Sequence, residues 1–249
     1  MNLKLVKKNN VAIDEAEIAV LSRKLNLPAK FIELLFNRGI SDEQAINRFL
    51  FPDEKNFHDP FLMKGMRAAV ERLNAAIKNG ERIVVYGDYD VDGVCSSAIL
   101  SLYLAERGVE VYTHIPSRIN EGYGLNNESI EKILENCNPD IILTCDCGIS
   151  GYKEIEYAQD LGVEVIVTDH HEVSENIPDC IVVNPHQVDC DYPFEYLCGA
   201  GVALKLVEAM GGMNEARKYW ELAAVATIAD LVPFVRLIYF HPQAEQDLQ

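Results

Sequence analysis

From residue 82 onward, short continuous apolar runs alternate with helical stretches, and this alternation is what most constrains the fold. Apolar strands separated by helices of about 10–15 residues are typical of a parallel sheet that is covered on both faces. Right-handed crossovers then predict an α/β fold with a doubly wound, mostly parallel sheet. The predicted strands cover 83–86, 109–112, 140–144, 163–167 and 181–183, and the predicted helices cover about 94–106, 127–136, 152–160, 200–210 and 214–228.

The first 80 residues have a different pattern, that of a small helical preface. Amphipathic stretches begin near Ile13, after Pro28 and after Ser41, and a longer helix is predicted over 64–78, where Asn79-Gly80 ends it. We therefore predict a helical preface at 1–80, an α/β domain at 81–234 and a short C-terminal tail at 235–249.

Composition restricts the class of protein. The chain is 49% apolar and 24% charged, which is ordinary for a globular protein. It has no apolar run of about 18 residues and no apolar segment after its charged start, so we expect neither a membrane span nor a signal peptide. Seven cysteines, an odd number, favour free thiols in a reducing compartment, and we expect a cytoplasmic protein.

The net charge of −17 argues at first against a nucleic-acid partner, because phosphates are usually neutralised by Lys and Arg. However, the charge is uneven, with a net +3 over residues 1–82 and −20 over residues 83–249. One interpretation is a solvated acidic surface. The other is that some carboxylates cluster to hold cations.

Acidic and imidazole side chains follow several of the predicted strands at the point where each strand ends. In open α/β sheets, the crevice beyond the carboxyl ends of the strands is the ligand site. Asp230 follows a late apolar helix and could join the same edge. The residues at the strand ends are Asp88, Asp90 and Asp92 after the first strand, Asp146 after the third, and Asp169, His170 and His171 after the fourth.

Carboxylates this close repel one another unless cations neutralise them. Carboxylates with one or two imidazoles suit Mn²⁺ or Mg²⁺ better than a thiolate-binding metal. A pair of such ions activates water and binds a phosphoryl oxygen, which predicts phosphoester hydrolysis. A calcium loop is disfavoured because Ile99 stands where its bidentate Glu belongs. A nucleotide loop is disfavoured because the chain has neither G-x-G-x-x-G nor a Walker lysine.

The motifs GDYDVDG, TCDCG, TDHH and IADLVP resemble, in this order, those of the DHH phosphoesterase superfamily. Within it the chain is most similar to the RecJ-type single-strand-specific exonucleases, through the helical preface, PSRINEGYGLN and VVNPHQVDCDYPFEYLCGAGVALKL. The resemblance covers most of residues 10–234. It implies a domain with two Mn²⁺ ions, for which Mg²⁺ can substitute, that degrades single-stranded DNA from the 5′ end in recombination and repair.

The resemblance also implies roles for individual residues. The expected metal ligands are Asp88, Asp90, Asp92, Asp146, His170 and Asp230. Asp146 is expected to bridge both ions, whereas Asp88 binds through water or shapes the loop. Asp169 is expected to orient an imidazole from beside the metal, a common use of such carboxylates. His171 is expected to contact the scissile phosphate.

Substrate contacts are expected from three further residues. Arg118 follows the second strand, and a guanidinium there can bind a phosphate through two hydrogen bonds. The resemblance implies a 5′-phosphate pocket at Arg118, with Tyr123 contacting a base or sugar. His186 either lies near the site or has a structural hydrogen-bonding role. The expected partners are single-stranded DNA with a 5′-phosphate and a repair helicase or single-strand-binding protein, with no membrane.

Two alternatives stay open. One is another phosphoesterase of the superfamily, acting on pyrophosphate, a cyclic dinucleotide, nano-RNA or 3′-phosphoadenosine phosphate. The other is a truncated chain that binds metal without turnover. This second alternative arises because relatives continue past IADLVP into a second lobe, the DHHA1 domain. The tail at 235–249 lacks the sequence pattern expected after Pro233 in such relatives. We therefore expect that lobe to be absent from this chain.

Overall fold

The structure is a computed structural model that describes residues 14–51, 57–117 and 124–233. These residues divide into two compact units, the first ending at Phe57 and the second extending from His58 to Pro233. Across the described ranges, every helix is too short or too polar to span a bilayer.

The described part of the first unit is helical, as predicted for the preface. Asp14 and Asp42 cap two of its helices, because their carboxylates accept hydrogen bonds from the backbone N–H groups of Ala16 and Ala45. The helices are α1 (Glu15–Leu25), α2 (Ala29–Phe36) and α3 (Glu43–Leu50). They enclose an apolar cluster of Leu21, Ile32, Leu35, Phe36, Ile40, Ala45 and Ile46.

The second unit is built on a parallel sheet whose described strands lie in the order β2-β1-β3-β4-β5. This confirms the predicted α/β fold with a doubly wound sheet. Strand β1 pairs with both β2 and β3, so the direction of winding reverses between β1 and β3. The strands are β1 (Ile83–Tyr86), β2 (Val111–His114), β3 (Ile141–Cys145), β4 (Glu164–Thr168) and β5 (Ile181–Val183).

Helices cover both faces of this sheet, which explains why β1 and β3 are buried along their whole length. Helices α6 and α7 pack on one face in a single apolar cluster with β1, β3 and β4. Helices α5 and α8 pack on each other and also contact the sheet. The helices of this unit are α4 (Met66–Asn79), α5 (Val91–Ala105), α6 (Asn127–Cys137), α7 (Tyr152–Asp160), α8 (Gly199–Gly211), α9 (Met213–Ala216) and α10 (Trp220–Ala229).

Several element boundaries differ from the sequence prediction, most of them by one or two residues. Strand β2 begins two residues later than predicted, because Val111 is the residue that pairs with Ile83. Helix α5 begins earlier, at Val91, because the Asp90 carboxylate accepts the Gly93 N–H at 2.9 Å and caps the helix. The single helix predicted over 214–228 is divided into α9, a 3₁₀ turn and α10.

Helix α4 packs in the second unit, although the sequence prediction included it in the preface. Its buried side contacts β5 and α8. The preceding residue, Gly65, has a φ of +83°, and a Cβ there would lie 2.0 Å from the Val182 carbonyl oxygen. Only glycine permits this close approach, which holds the start of α4 against the edge of β5.

Candidate metal centre

The reversal point between β1 and β3 places two acidic loops side by side. Asp88 and Asp90 follow β1, and Asp146 follows β3. The next strand, β4, brings the loop 169–171 to the same edge. In open α/β sheets, the crevice beyond the strand ends at such a point is the usual ligand site. The fold therefore gathers the predicted motifs at one place.

Carboxylate and imidazole atoms from these loops approach within metal-binding reach. Three overlapping groups in the described ranges each offer ligand atoms that lie within 4.8 Å of one another. Asp146 and His170 each belong to two groups, so the three groups form one continuous cluster of possible cation ligands. The groups are Asp88, Asp90 and Asp146; Asp92, His170 and Asp230; and Asp146, His170 and His171.

Asp146 lies at the centre of this cluster in an unusual backbone conformation. Its φ is +59°, a left-handed value that Asp tolerates better than most residues. The Thr144 hydroxyl donates to the Cys147 carbonyl at 2.8 Å and so closes the turn around it. Asp146 Oδ1 lies 3.0 Å from His170 Nε2 without hydrogen-bond geometry. Burial, and then the charge of Asp92, raise the pKa of Asp146 to about 10.

Asp92 joins the start of α5 to the start of α8. Its Oδ2 accepts the Gly199 N–H at 2.6 Å and its Oδ1 accepts the Ala200 N–H at 2.7 Å. The N-terminal end of α8 therefore faces the acidic cluster and stabilises one of its charges. Asp92 Oδ2 also lies 3.6 Å from His170 Nε2. Because each carboxylate oxygen has two lone pairs, Asp92 can cap α8 and still offer an oxygen to a cation.

Asp169 is buried and orients the loop that follows β4. Its Oδ1 lies 2.7 Å from His171 Nδ1 and also accepts the backbone N–H of His170, while Oδ2 accepts the Ile149 N–H at 2.9 Å. Burial alone would raise the pKa of Asp169, but the hydrogen bonds from His171 and Ile149 outweigh it and lower that pKa. The same pairing raises the pKa of His171. Asp169 is thus an ionised anchor that holds the His171 ring.

The remaining acids lie at the edges of the cluster. Asp88 is buried, its Oδ1 has no hydrogen-bond partner among the described residues, and burial raises its pKa. Asp90 is exposed and caps α5. Asp230 follows α10 with a side chain that is 36% exposed, and its Oδ2 lies 3.9 Å from His170 Nδ1. Burial is also the main cause of the raised pKa of Asp230.

These residues fit divalent ions that prefer oxygen ligands. Within the described part of the chain, two buried carboxylate oxygens, Asp88 Oδ1 and Asp146 Oδ1, lack hydrogen-bond partners, and such atoms are costly unless a cation or donor satisfies them. The cluster combines several carboxylates with imidazole and has no thiolate among its members. This donor set suits Mn²⁺ or Mg²⁺.

A family model described as DHH family, N-terminal domain, matches residues 82–232, the segment that carries all of these side chains. The chain belongs to the DHH family. This confirms the superfamily resemblance that the four motifs indicated.

Relatives of this DHH chain include RecJ from Bacillus subtilis (strain 168), a single-stranded-DNA-specific exonuclease. It is 40% identical over 221 residues, which are 88% of this chain and 28% of the relative. A crystal structure of RecJ from Thermus thermophilus in complex with Mn²⁺ matches with a TM-score of 0.72 and 32% identity, over 91% of this chain and 32% of that one. The Mg²⁺ complex matches with a TM-score of 0.58, 29% identity and coverage of 91% and 29%. The DHH chain thus spans less than a third of these relatives.

The structure brings together the six expected metal ligands of the DHH chain, with Asp169 and His171 beside them. Their roles stay predictions. His186 lies in the loop after β5, where its N–H donates to Asn184 Oδ1 at 2.8 Å and its Nδ1 lies 3.9 Å from Glu172 Oε1. Two predicted substrate contacts, Arg118 and Tyr123, lie outside the described residues, as does the tail at 235–249.

Sequence reasoning missed the backbone groups that hold the acids in place. The N–H groups of Gly199, Ala200 and Ile149 are bound by the carboxylates of Asp92 and Asp169. The small residues of CGAG at 198–201 were a usable signal, because they allow a helix start to approach other side chains closely.

Proposed function

We propose that this chain carries the metal-dependent catalytic domain of a single-stranded-DNA-specific exonuclease. The observation that carries the proposal is the overlap of three ligand groups at the β1/β3 reversal point. The 40% identity to a single-stranded-DNA-specific exonuclease supports the substrate class. The proposed catalytic domain is residues 81–234, preceded by the helical preface 1–80.

The chain's own residues would hold two divalent ions. Asp88, Asp90 and Asp146 would hold one ion, and His170 and Asp230 would hold the other. Asp92 belongs to the second group and is held in place by the start of α8. When bound, the ions supply Lewis-acid stabilisation of the charge on a phosphoryl group.

His171 is the residue proposed to act on the phosphodiester. Asp169 fixes its Nδ1, and this hydrogen bond raises the pKa of the His171 ring above its ordinary value. Its side chain is 42% exposed, so a substrate can reach it. A protonated Nε2 would donate a hydrogen bond to a phosphate oxygen and offset the charge that develops there.

The finer parts of the proposal concern the substrate and its setting. We propose 5′→3′ polarity, with Arg118 and Tyr123 at the 5′ end and His186 near the site. The acidic body repels DNA. We therefore propose that the ions and Arg118 bind the DNA. Further basic surface would come from a second lobe, or from a repair helicase or single-strand-binding protein. The proposed location is the cytoplasm.

The test measures hydrolysis of a 5′-phosphorylated single-stranded oligonucleotide with Mn²⁺ and then Mg²⁺. The expected product is a mononucleotide, formed from single strands but not from duplex. Asp146→Asn is the matched control because it removes one charge from the central ligand and keeps its shape. Hydrolysis that is equal in the control and the wild type would contradict the proposal. Turnover of pyrophosphate or a cyclic dinucleotide, with DNA left intact, would assign the site to another phosphoesterase.

A further inference from the structure

The loop that follows β5 contains a buried amide with no assigned role. Asn184 directly follows Val183, the last residue of the strand, and its side chain is fully buried. Pro185 comes next and restricts the Asn184 backbone to extended conformations. The position is therefore rigid on both sides, with a strand before it and a proline after it.

The Asn184 side chain bridges two loops that each carry an imidazole. Its Nδ2 donates to the His171 carbonyl at 2.9 Å, and its Oδ1 accepts the His186 N–H at 2.8 Å. An amide is the side chain that offers a donor and an acceptor at this spacing. Each end of the amide thus binds the backbone of a histidine rather than its ring.

A neighbouring buried carboxylate makes a similar bridge one strand earlier. Asp169 accepts the N–H of Ile149, from the loop after β3, and pairs with the ring of His171, from the loop after β4. Asn184 then ties that second loop to the one after β5. His171 is consequently fixed at two points, its ring by Asp169 and its backbone by Asn184.

We propose that Asn184 is a positioning residue that sets the relative placement of His171 and His186 at the phosphate-binding side of the metal centre. This role rests on the proposed function of His171. Asn184 contacts the loops and not the reacting atoms, so it acts through the two histidines.

Gln187 provides a matched control in the same loop. It is also a buried amide, and its Nε2 donates to the carbonyl oxygens of Val182 at 3.0 Å, Asn184 at 3.2 Å and Lys64 at 3.3 Å. These bonds tie the loop after β5 to the strand itself and to the start of α4. Gln187→Ala therefore removes comparable buried hydrogen bonds and leaves the proposed bridge intact.

The experiment records the imidazole NMR signals of the metal-free full chain, together with its melting temperature. We expect Asn184→Ala to shift and broaden the signals of His171 and His186, with His58 and His114 unchanged as internal references. Gln187→Ala should lower the melting temperature and leave the His171 and His186 signals at their wild-type positions. Unshifted His171 signals in Asn184→Ala, or equal shifts in both variants, would overturn the proposal.

Asn184→Asp is the second variant, because it keeps the shape and the acceptor for His186 and removes the donor to His171. It should shift the His171 signals more than those of His186. Loss of the folded state in both Asn184 variants but not in Gln187→Ala would show a general structural role and overturn the proposal. In the Mn²⁺-loaded chain, DNA hydrolysis should fall about tenfold in Asn184→Ala and stay at the wild-type rate in Gln187→Ala. Absence of hydrolysis in the wild type would contradict the proposed function alone, because the NMR comparison needs no turnover.

Discussion

Gly199→Ala is a small change that should damage the metal centre through packing. A Cβ at Gly199 would lie 2.6 Å from both Cβ and Oδ1 of Asp146 and 2.8 Å from its Cγ. Carbon atoms in contact prefer about 3.5–4.0 Å, so the Asp146 side chain or the start of α8 must move by about 1 Å. The Asp146 N–H donates to the Thr168 carbonyl at 3.1 Å, and this backbone hydrogen bond resists a shift of Asp146.

The magnitude follows from the two ways of relieving this contact. Moving α8 lengthens its two hydrogen bonds to Asp92, now 2.6 and 2.7 Å, and rotating Asp146 takes its carboxylate away from His170. Overpacking of this kind costs about 1–3 kcal/mol, and the helix propensity of Ala offsets at most about 1 kcal/mol. We expect a net loss of about 1–2 kcal/mol, which lowers the Tm by about 2–8 °C. Mn²⁺ affinity should fall at least about tenfold.

Gly201→Ala is the matched control, two residues further along α8. Its Cβ would lie 3.1 Å from Cδ2 of Leu197 and 3.3 Å from Cβ, so the contact is mainly with an adjustable side chain. Thermal unfolding and Mn²⁺ titration calorimetry should show this variant within about 1 kcal/mol of the wild type, with unchanged Mn²⁺ affinity. Equal Mn²⁺ affinities for the two alanine variants would refute the proposed contact between α8 and the metal centre.

Three further substitutions separate metal binding from folding. Asp146→Asn should leave the metal-free stability within about 1 kcal/mol, because burial already disfavours the charged form of this carboxyl and raises its pKa. The rise in Tm with Mn²⁺ should disappear, and a retained rise would contradict the central place of Asp146 in the metal centre. Asp92→Ala removes the two carboxylate oxygens that accept hydrogen bonds from the start of α8. The free energy of unfolding in urea should fall by about 3 kcal/mol, and an unchanged urea midpoint would contradict the capping of α8 by Asp92. Lys205→Met breaks a buried ion pair with Glu208 at 2.7 Å, so the free energy of unfolding should fall by about 3 kcal/mol. Mn²⁺ affinity should stay unchanged, and weaker Mn²⁺ binding would contradict the independence of this ion pair from the metal centre.

The sheet and the location of the acids could be predicted from the sequence because both depend on local patterns. A buried strand reads as a continuous apolar run, and the residues after such strands share one edge of a parallel sheet. The motif containing Asp88 and the one containing His170 could therefore be placed together without knowing any distance between them.

Contacts between distant segments could not be predicted in this way. Gly199 lies 107 residues from Asp92 in the chain, and no local pattern links them. The packing of α4 on β5 depends on the close approach of Gly65 to Val182, which is visible only in three dimensions. The amide bridge at Asn184 was missed for the same reason, since an Asn before a Pro also occurs in ordinary turns.

The central claim is that two divalent ions bind side by side around Asp146. The most direct test is Mn²⁺ titration calorimetry of the wild-type chain, followed by electron paramagnetic resonance of the loaded protein. We predict two bound Mn²⁺ ions per chain with a spectrum of magnetically coupled ions, and loss of that coupling in Asp146→Asn. Binding of a single ion, or of uncoupled ions whose spectrum Asp146→Asn leaves unchanged, would contradict the account.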